Sequence, residues 1–474
     1  MLNSDIWFVY LLNASIIITI VCFQKRNPIS SMAWIMCLIM FPIIGGAAFL
    51  IFGVGIKAYT RRKYNMKLEM NEKYMLEKQK EMMKLPEISN ISHYGIVNYF
   101  LNCNFLYSEN NKVRIFTDAE EKYKALFEDI ENAKESINIL YFIIRNDKIG
   151  NELIDLLTKK AQSGVKVRLM YDGFGSILTP KCMFNRLREA EMSEVQEFFP
   201  VRIFSLSKIN HRNHRKIAVI DDSVAYIGGM NIGDEYMSKA KKRNLPWRDT
   251  HIRISGEAVE CVQRCFAMDW EFSSGKEIDV KSFKAGEEIT KKDRVPMQIV
   301  SSGPDSKEDE IKCGMLKMIN GAKKYIYIQT PYFVPDQAFL TAIQIASRSG
   351  IDVRLMIPGM PDKPYVYHTT MSYVGEALDA GVRVYLYPGF IHSKTMAVDD
   401  RISTIGSANI DIRSFELLFE LNAFMYSAEK TAECRGIFEK DMEKCRELTR
   451  EEYEKRGIVK IIKEGFFRLF SPIM

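Results

Sequence analysis

Two stretches of this chain carry the same spaced set of reactive side chains. The first, HRKIAVIDDSVAYIGGMN, supplies His214, Lys216, Asp221, Gly228, Gly229 and Asn231. The second, HSKTMAVDDRISTIGSAN, supplies His392, Lys394, Asp399, Gly406, Ser407 and Asn409. In each set the Asn lies seventeen positions after the His, and the chain has only six histidines. A single His-x-Lys means nothing, but two extended copies at matched spacing are hard to obtain by accident. Residues two apart on a strand share a face, so each His projects beside its Lys. Each Asn, after a small-residue turn, can approach from the next strand. Packed face to face, the two copies would put two imidazoles, two ammonium groups and two amides into one pocket. Such a pocket suits a phosphate diester. Lys216, Lys394, Asn231 and Asn409 would hold the non-bridging oxygens and offset developing charge. One imidazole would attack phosphorus while the other protonates the leaving oxygen. The lysines supply the positive charge, so this reading requires no metal and no cofactor.

An attacking imidazole must be neutral at one nitrogen and held at the other, and a carboxylate is the natural holder. One candidate follows each motif among apolar and aromatic neighbours: Asp249 in PWRDTHIRI and Glu420 in RSFELLFELNAF. Asp221 and Asp399 sit beyond the strand, where contact with substrate and a structural ion pair are equal alternatives.

The motifs need a scaffold, and the sequence repeats one. NAKESINILYFIIRNDKIGNELIDLLTKKAQSGVKVRLMYDG begins at Asn132, and NGAKKYIYIQTPYFVPDQAFLTAIQIASRSGIDVRLMIPG begins at Asn320. Both read helix end, strand, loop, helix, small-residue turn, strand. In the first copy the strands are Ser136 to Ile144 and Val165 to Tyr171, with a helix from Glu152 to Gln162 between them. The pattern predicts an α/β fold of two duplicated units, each a sheet covered on both faces. The expected division is 1–60, 61–112, 113–285 and 286–474: an apolar hairpin, a charged helical connector, and the two units. Of the 474 residues, 47% are hydrophobic and 27% charged, a globular composition. A net charge of +6 is too small for a dedicated nucleic-acid binder, so no nucleic-acid partner is expected. The nine cysteines are scattered without a zinc-site spacing and fit a reducing compartment.

The first sixty residues have a different character. Ile6 to Phe23 and Met32 to Ile56 carry no charge, and about 20 apolar residues suffice to cross a bilayer. Asp5 stands where a signal peptide would carry basic residues. The reading is therefore a membrane-spanning hairpin of two helices, kinked or re-entrant at Pro42 and Gly45-Gly46. Lys57, Arg61, Arg62, Lys63 and Lys67 outnumber Lys25 and Arg26, which puts the catalytic portion on the cytoplasmic side. At the other end, Ile458, Ile462, Phe466, Leu469 and Phe470 share one helical face, which suits either a membrane surface or the helix's own domain. Two apolar loops, Met183 to Leu187 and Pro331 to Pro335, suit a lipid entrance or the core equally.

The paired motifs resemble the phospholipase D superfamily, whose signature is two His-x-Lys-x4-Asp motifs each followed by Gly-Gly/Ser-x-Asn. The resemblance runs from about Val113 to Ser427. GGMNIGDEY, WRDTH, IQTPYFVPD and GSANIDIRSFELLFELNAF, behind RNPISSMAWIMCLIMFPIIG, are similar to bacterial cardiolipin synthases. That family implies a pseudo-twofold catalytic body of two α/β sandwiches in a bacterial cell membrane. It also implies a phosphatidyltransferase that turns two phosphatidylglycerols into cardiolipin and glycerol through a phosphohistidine. Carried over, His214 becomes the nucleophile and His392 the acid/base, while Asp249 and Glu420 orient the histidines. The signature would count Lys216, Asp221, Lys394 and Asp399 as catalytic, with Asn231 and Asn409 binding phosphate. The residues alone do not break the symmetry between the histidines. A phospholipase D hydrolase, or a transferase using another alcohol, would share the same pocket. The Gly-Gly of the first motif, where Gly-Ser is frequent, puts one hydroxyl contact in doubt.

Overall fold

The computed structural model describes residues 2–23, 28–49, 70–84, 93–200, 210–237, 247–280, 287–304, 306 and 308–473. β-branched and aromatic runs form two sheets with the same internal order. The first uses β1 (Asn111–Phe116), β2 (Ser136–Tyr141), β3 (Lys166–Asp172), β4 (Ser193–Phe198), β5 (Ile217–Ile220), β6 (Val224–Gly228) and β7 (His251–Gly256), arranged β1-β7-β6-β5-β2-β3-β4. The second uses β8 (Met297–Ser302), β9 (Tyr325–Gln329), β10 (Asp352–Pro358), β11 (Arg383–Tyr387), β12 (Thr395–Val398), β13 (Ile402–Gly406) and β14 (Glu420–Met425), arranged β8-β14-β13-β12-β9-β10-β11. Every strand of the first sheet has its counterpart seven places later in the chain. The second sheet adds an edge strand on each side, Arg446–Leu448 being the one beside β11. In both sheets three strands run parallel and the remaining pairings are antiparallel. The chain is thus a duplicated α/β fold.

Local chemistry builds the repeat. The crossover helices Lys148–Gln162 and Gln337–Arg348 start at Asp147 and Asp336, whose carboxylates accept from the N–H groups of Gly150 and Phe339. Each is followed by a glycine in the left-handed region, Gly164 at φ 93° and Gly350 at φ 87°. The two sheets share a core. Ile217, Val219, Ile252 and Ile254 of the first join Ala397, Ile405, Leu421 and Ala423 of the second, around Trp270 and Phe266 of the helix Ala258–Ser274. Each unit also has an outer core of its own.

The stretch expected to be a connector does more than connect. Leu76 of the helix Met70–Met82, with Val97, Phe100 and Leu101 of the helix Tyr94–Asn102, enters the outer core of the second unit. Tyr107–Ser108 then adds an edge strand to β8.

At the N-terminus the first apolar run is one helix, Leu2–Phe23. The second is divided into Pro28–Met40 and Pro42–Ala48, with the break at Phe41. Proline following Phe41 disfavours helical backbone there, which breaks the run. The Asn13 amide bridges that break, donating to the carbonyls of Leu38 (3.2 Å) and Pro42 (2.9 Å). Among the described residues no helix is long and apolar enough to cross a membrane. Residues 50–69, which hold the end of the second run and the basic cluster after it, lie outside the described residues. Of the two equal readings of the apolar loops, lipid entrance or core, these residues take the second: Phe184, Leu187, Phe333 and Val334 are fully buried.

Candidate active site

The two halves exchange short extended segments, and this exchange makes the site. Trp247–Arg248 of the first half pairs with Phe390–Ile391 of the second, and the N–H of His392 donates to the Arg248 carbonyl at 2.6 Å. On the other side Asn213 bridges Phe419, and the N–H of His214 donates to the Phe419 carbonyl at 2.9 Å. Asp249 and Glu420 directly follow the residues that cross over. Each therefore reaches the histidine of the opposite half. His214 Nδ1 lies 2.9 and 3.1 Å from the two Glu420 carboxylate oxygens, and His392 Nδ1 lies 2.7 Å from Asp249 Oδ2. The sequence placed one carboxylate after each motif without saying which ring it serves. Both carboxylates contact the histidine of the opposite half.

Burial sets the electrostatics. His214 and His392 keep only 8% and 7% of their surface. Burial, then the charges of Lys216 and Lys394, lower both imidazoles well below their ordinary range. Burial also lowers both ammonium groups, Lys394 to about 8, while Asp249 and Glu420 partly counter the effect. The carboxyl groups rise for the same reason, Asp249 to about 6 and Glu420 to about 7. Each Lys Nζ donates to the carbonyl of its own histidine at 2.5 Å. Lys216, Lys394 and Lys363 all act on both rings, and they supply positive charge where a phosphodiester carries one negative charge. Because the carboxylates occupy Nδ1, Nε2 is the ring nitrogen left for chemistry.

The remaining residues taken from the motifs divide into two groups. Asn231 and Asn409 are buried near the pocket, but Asn231 is already engaged. Its Oδ1 accepts from the Ile143 N–H at 3.1 Å and its amide donates to the Tyr236 hydroxyl at 2.5 Å. Asn409 bonds Asp411 through its side chain, and its Oδ1 is buried without a hydrogen-bond partner. Asp221 and Asp399 do not face the pocket, which corrects their catalytic assignment. Asp221 accepts from the N–H groups of Lys134, Glu135 and Ser136, and Asp399 from those of Lys323, Lys324 and Tyr325. Both are the first residue of a tight hairpin, at φ 51° and 59°, followed by a second left-handed Asp. Asp tolerates that conformation, and its carboxylate caps the start of the neighbouring strand.

Several contributors carried no sequence signal. The Arg215 side chain pairs with Asp269 at 2.6 Å and donates to the Glu420 carbonyl at 3.0 Å. Arg248 pairs with Asp441 at 2.9 Å and donates to the Asp249 carbonyl. The Ser407 hydroxyl donates to Glu420 at 2.5 Å, whereas a side chain at Gly229 would overlap the Asp249 carboxylate. Phe142 packs edge-on to His214, and Trp247 and Phe390 flank His392. Of these only the Gly-Gly/Gly-Ser difference was visible beforehand, and it marks the room left for each carboxylate.

A duplicated fold with two carboxylate-held histidines and two buried lysines defines a phosphodiester transferase of the phospholipase D superfamily. A profile described as cardiolipin synthase, phospholipase D-like domain, matches residues 126–270 and 315–442, and one described as phospholipase D-nuclease N-terminal matches 12–53. The cardiolipin synthase of Oceanobacillus iheyensis is 42% identical, with 98% of both chains covered. The major cardiolipin synthase of Bacillus subtilis strain 168 is 40% identical, again over 98% of each. The chain belongs to the bacterial cardiolipin synthase family. Among solved structures, the phosphatidylserine synthase of Haemophilus influenzae Rd KW20 shares the fold, with a TM-score of 0.58, 16% identity and coverage of 77% of this chain and 95% of that one.

Proposed function

We propose that this enzyme joins two phosphatidylglycerol molecules into cardiolipin and releases glycerol. In the first half-reaction, Nε2 of one histidine attacks the phosphorus of the first lipid. A P–N bond forms, the P–O bond to the headgroup glycerol breaks, and the proton on the second imidazole passes to the leaving oxygen. Glycerol departs. The hydroxyl of a second phosphatidylglycerol then gives its proton to that imidazole as its oxygen attacks phosphorus, and the P–N bond breaks. One phosphodiester is broken and one is made, so no nucleotide is consumed. Lys216 and Lys394 hold the non-bridging oxygens, and Asp249 and Glu420 fix the rings. Asn409 and Asn231 border the phosphate position, where the side-chain amide N–H groups are the atoms able to donate to a non-bridging oxygen.

The observation that carries this reading is the pair of crossed carboxylate–histidine contacts beside two buried lysines. His214 is assigned as nucleophile by family resemblance. Transfer requires that a lipid hydroxyl outcompete water at the phosphohistidine. The deep burial of both rings supports this, and proximity can supply an effective concentration of about 10⁵ M or more. The apolar helices at the N-terminus hold the enzyme at the membrane, with the site on the cytoplasmic face. Protease added outside intact cells should then spare residues 70–473.

The deciding experiment supplies the purified enzyme with headgroup-labelled phosphatidylglycerol in vesicles. Cardiolipin and free glycerol should accumulate, and added glycerol should convert cardiolipin back to phosphatidylglycerol. Phosphatidic acid as the main product, with glycerol having no influence, would reassign the enzyme as a hydrolase.

A further inference from the structure

The last helix, Ile458–Arg468, puts its two faces to different uses. Glu464, Phe467, Arg468 and, beyond the helix end, Ser471 line one side and dock on the helix Pro364–Asp379. Phe467 stacks on His368 at 5.8 Å with the rings 5° from parallel. The Arg468 guanidinium lies 4.3 Å over the Tyr373 ring and pairs with Glu376. The Tyr373 hydroxyl donates to Ser471 at 3.1 Å, and Arg456 holds Glu464 at 2.9 Å. The packed face is thus the mixed polar and aromatic one. The opposite face is apolar and open: Ile458, Ile462, Phe466 and Leu469 are 67, 64, 55 and 76% exposed. This inverts the usual surface helix, whose apolar side turns inward.

The position of the helix gives the inversion a direction. The helix beneath it begins directly after Lys363, whose charge acts on both catalytic histidines. Exposed Met360, in the loop after β10, and Tyr365, in the first turn of that helix, flank Lys363. The equivalent loop after β3 exposes Phe174, Ile177 and Leu178. In open α/β sheets, ligands approach at the carboxyl ends of the parallel strands, where both loops lie.

We propose that the outward face of residues 458–470 lies in the headgroup layer of an anionic bilayer and turns these two loops toward the lipid. Exposed Lys455, Lys460 and Lys463 decide between a bilayer and a second copy of the chain. In a self-contact the lysines of two copies would oppose one another, whereas anionic headgroups complement them. The proposal builds on the lipid-substrate reading, but its first test, by fluorescence, does not depend on turnover.

The test uses the full chain in vesicles whose acyl chains carry bromine, a short-range quencher of tryptophan. Phe466→Trp and Leu469→Trp should each add fluorescence, relative to the parent, that is largely lost in brominated phosphatidylglycerol. Phe467→Trp, packed on His368, should add fluorescence that persists. Unquenched signal at both outer positions, or equal quenching in neutral phosphatidylcholine, would overturn the proposal. As a second measure, Phe466→Ser with Leu469→Ser should lower turnover on vesicles severalfold and leave turnover of short-chain micellar lipid unchanged. An equal fall in both would make the face structural. Quenching together with phosphatidic acid as the product would leave the docking intact and overturn the transfer reading.

Discussion

Asp249 of the first half holds His392 of the second, and Glu420 of the second half holds His214 of the first. The shorter carboxylate lies tight against Gly229, which leaves no room for a side chain, and accepts from the Thr250 N–H at 2.7 Å. The longer one has space beside it, which the Ser407 hydroxyl fills. The bracing arginines differ as well. Arg215 sits between the histidine and lysine of its motif, whereas Arg248 directly precedes the carboxylate it supports. Yet both reach a buried Asp on the equivalent helix, Asp269 or Asp441. The two halves therefore preserve the holding of an imidazole by a buried, braced carboxylate, while the residues that do the holding have changed. In the proposed reaction the rings also do different work, one covalent and one as acid and base.

Removing either ring should break that division of labour most severely. His214→Ala and His392→Ala should each reduce turnover by about 10⁴-fold or more. Rapid quenching with labelled lipid separates the roles, because only the variant that retains the nucleophile can still accumulate labelled protein. Label on His392→Ala and none on His214→Ala is the expected pattern. The reverse would exchange the roles.

Neutralising the holders tests the crossing itself. Glu420→Gln and Asp249→Asn should each cost roughly 10²- to 10⁴-fold in turnover, as expected when a ring loses its orienting carboxylate. The carboxylates act in their ionised form, so activity should fall as pH drops through about 7 for Glu420 and about 6 for Asp249. The residual activity of Glu420→Gln should lose the upper part of that acid limb, and that of Asp249→Asn should retain it. Stability has its own signs. Glu420 keeps a proton in the folded state that the unfolded chain releases above about 4.3, so its contribution falls as pH rises from there to about 7. The histidines, lowered by burial, oppose this: their contribution grows with rising pH and is complete above about 6.5.

The braces should register as stability first. Asp269→Asn and Asp441→Asn each leave a buried arginine without its charge partner, at about 3–5 kcal/mol by chemical denaturation. A smaller loss is expected from Asp221→Asn and Asp399→Asn. Asn accepts the same left-handed turn but loses the charged acceptor of three backbone N–H groups, at about 1–3 kcal/mol. Turnover per folded molecule should stay close to that of the parent. A large fall in turnover at unchanged stability would return these residues to the catalytic group.

That pair of aspartates also marks what the sequence made legible. Spacing exposes what strands enforce. Residues two apart share a face, so the His-Lys pairs and the duplicated sheet could be read directly. Asp221 and Asp399 share the same spacing because they end the same strand and turn the same hairpin, and spacing alone does not separate a reactive group from a turn. The contact of Asp249 with the opposite half depends on which segments cross between units, a tertiary fact without a periodic signature. Arg215 and Arg248 were hidden for a related reason, since they occupy non-equivalent positions and break the repeat. Met183 to Leu187 and Phe333 to Val334 illustrate the limit for short apolar runs, which look alike whether they line an entrance or fill a core.

The smallest expected effect bears most directly on the comparison. Ser407→Gly gives the second half the Gly-Gly of the first. It removes a hydroxyl that donates to Glu420 and accepts from the Leu421 N–H at 3.0 Å. One hydrogen bond to a charged group is worth about 1.5–3 kcal/mol, and water entering the vacated space should return part of it. A fall in turnover of roughly tenfold is expected, since 1.4 kcal/mol corresponds to one factor of ten. With one fewer donor to its ionised form, Glu420 should also titrate higher, moving the acid limb of the rate profile upward. The reciprocal change is not symmetric. Gly229→Ser drives a side chain into the Asp249 carboxylate and should cost far more than Ser407→Gly. Equal effects from the two substitutions would mean that the halves tolerate each other's motif, and that Gly229 is not fitted to the shorter carboxylate.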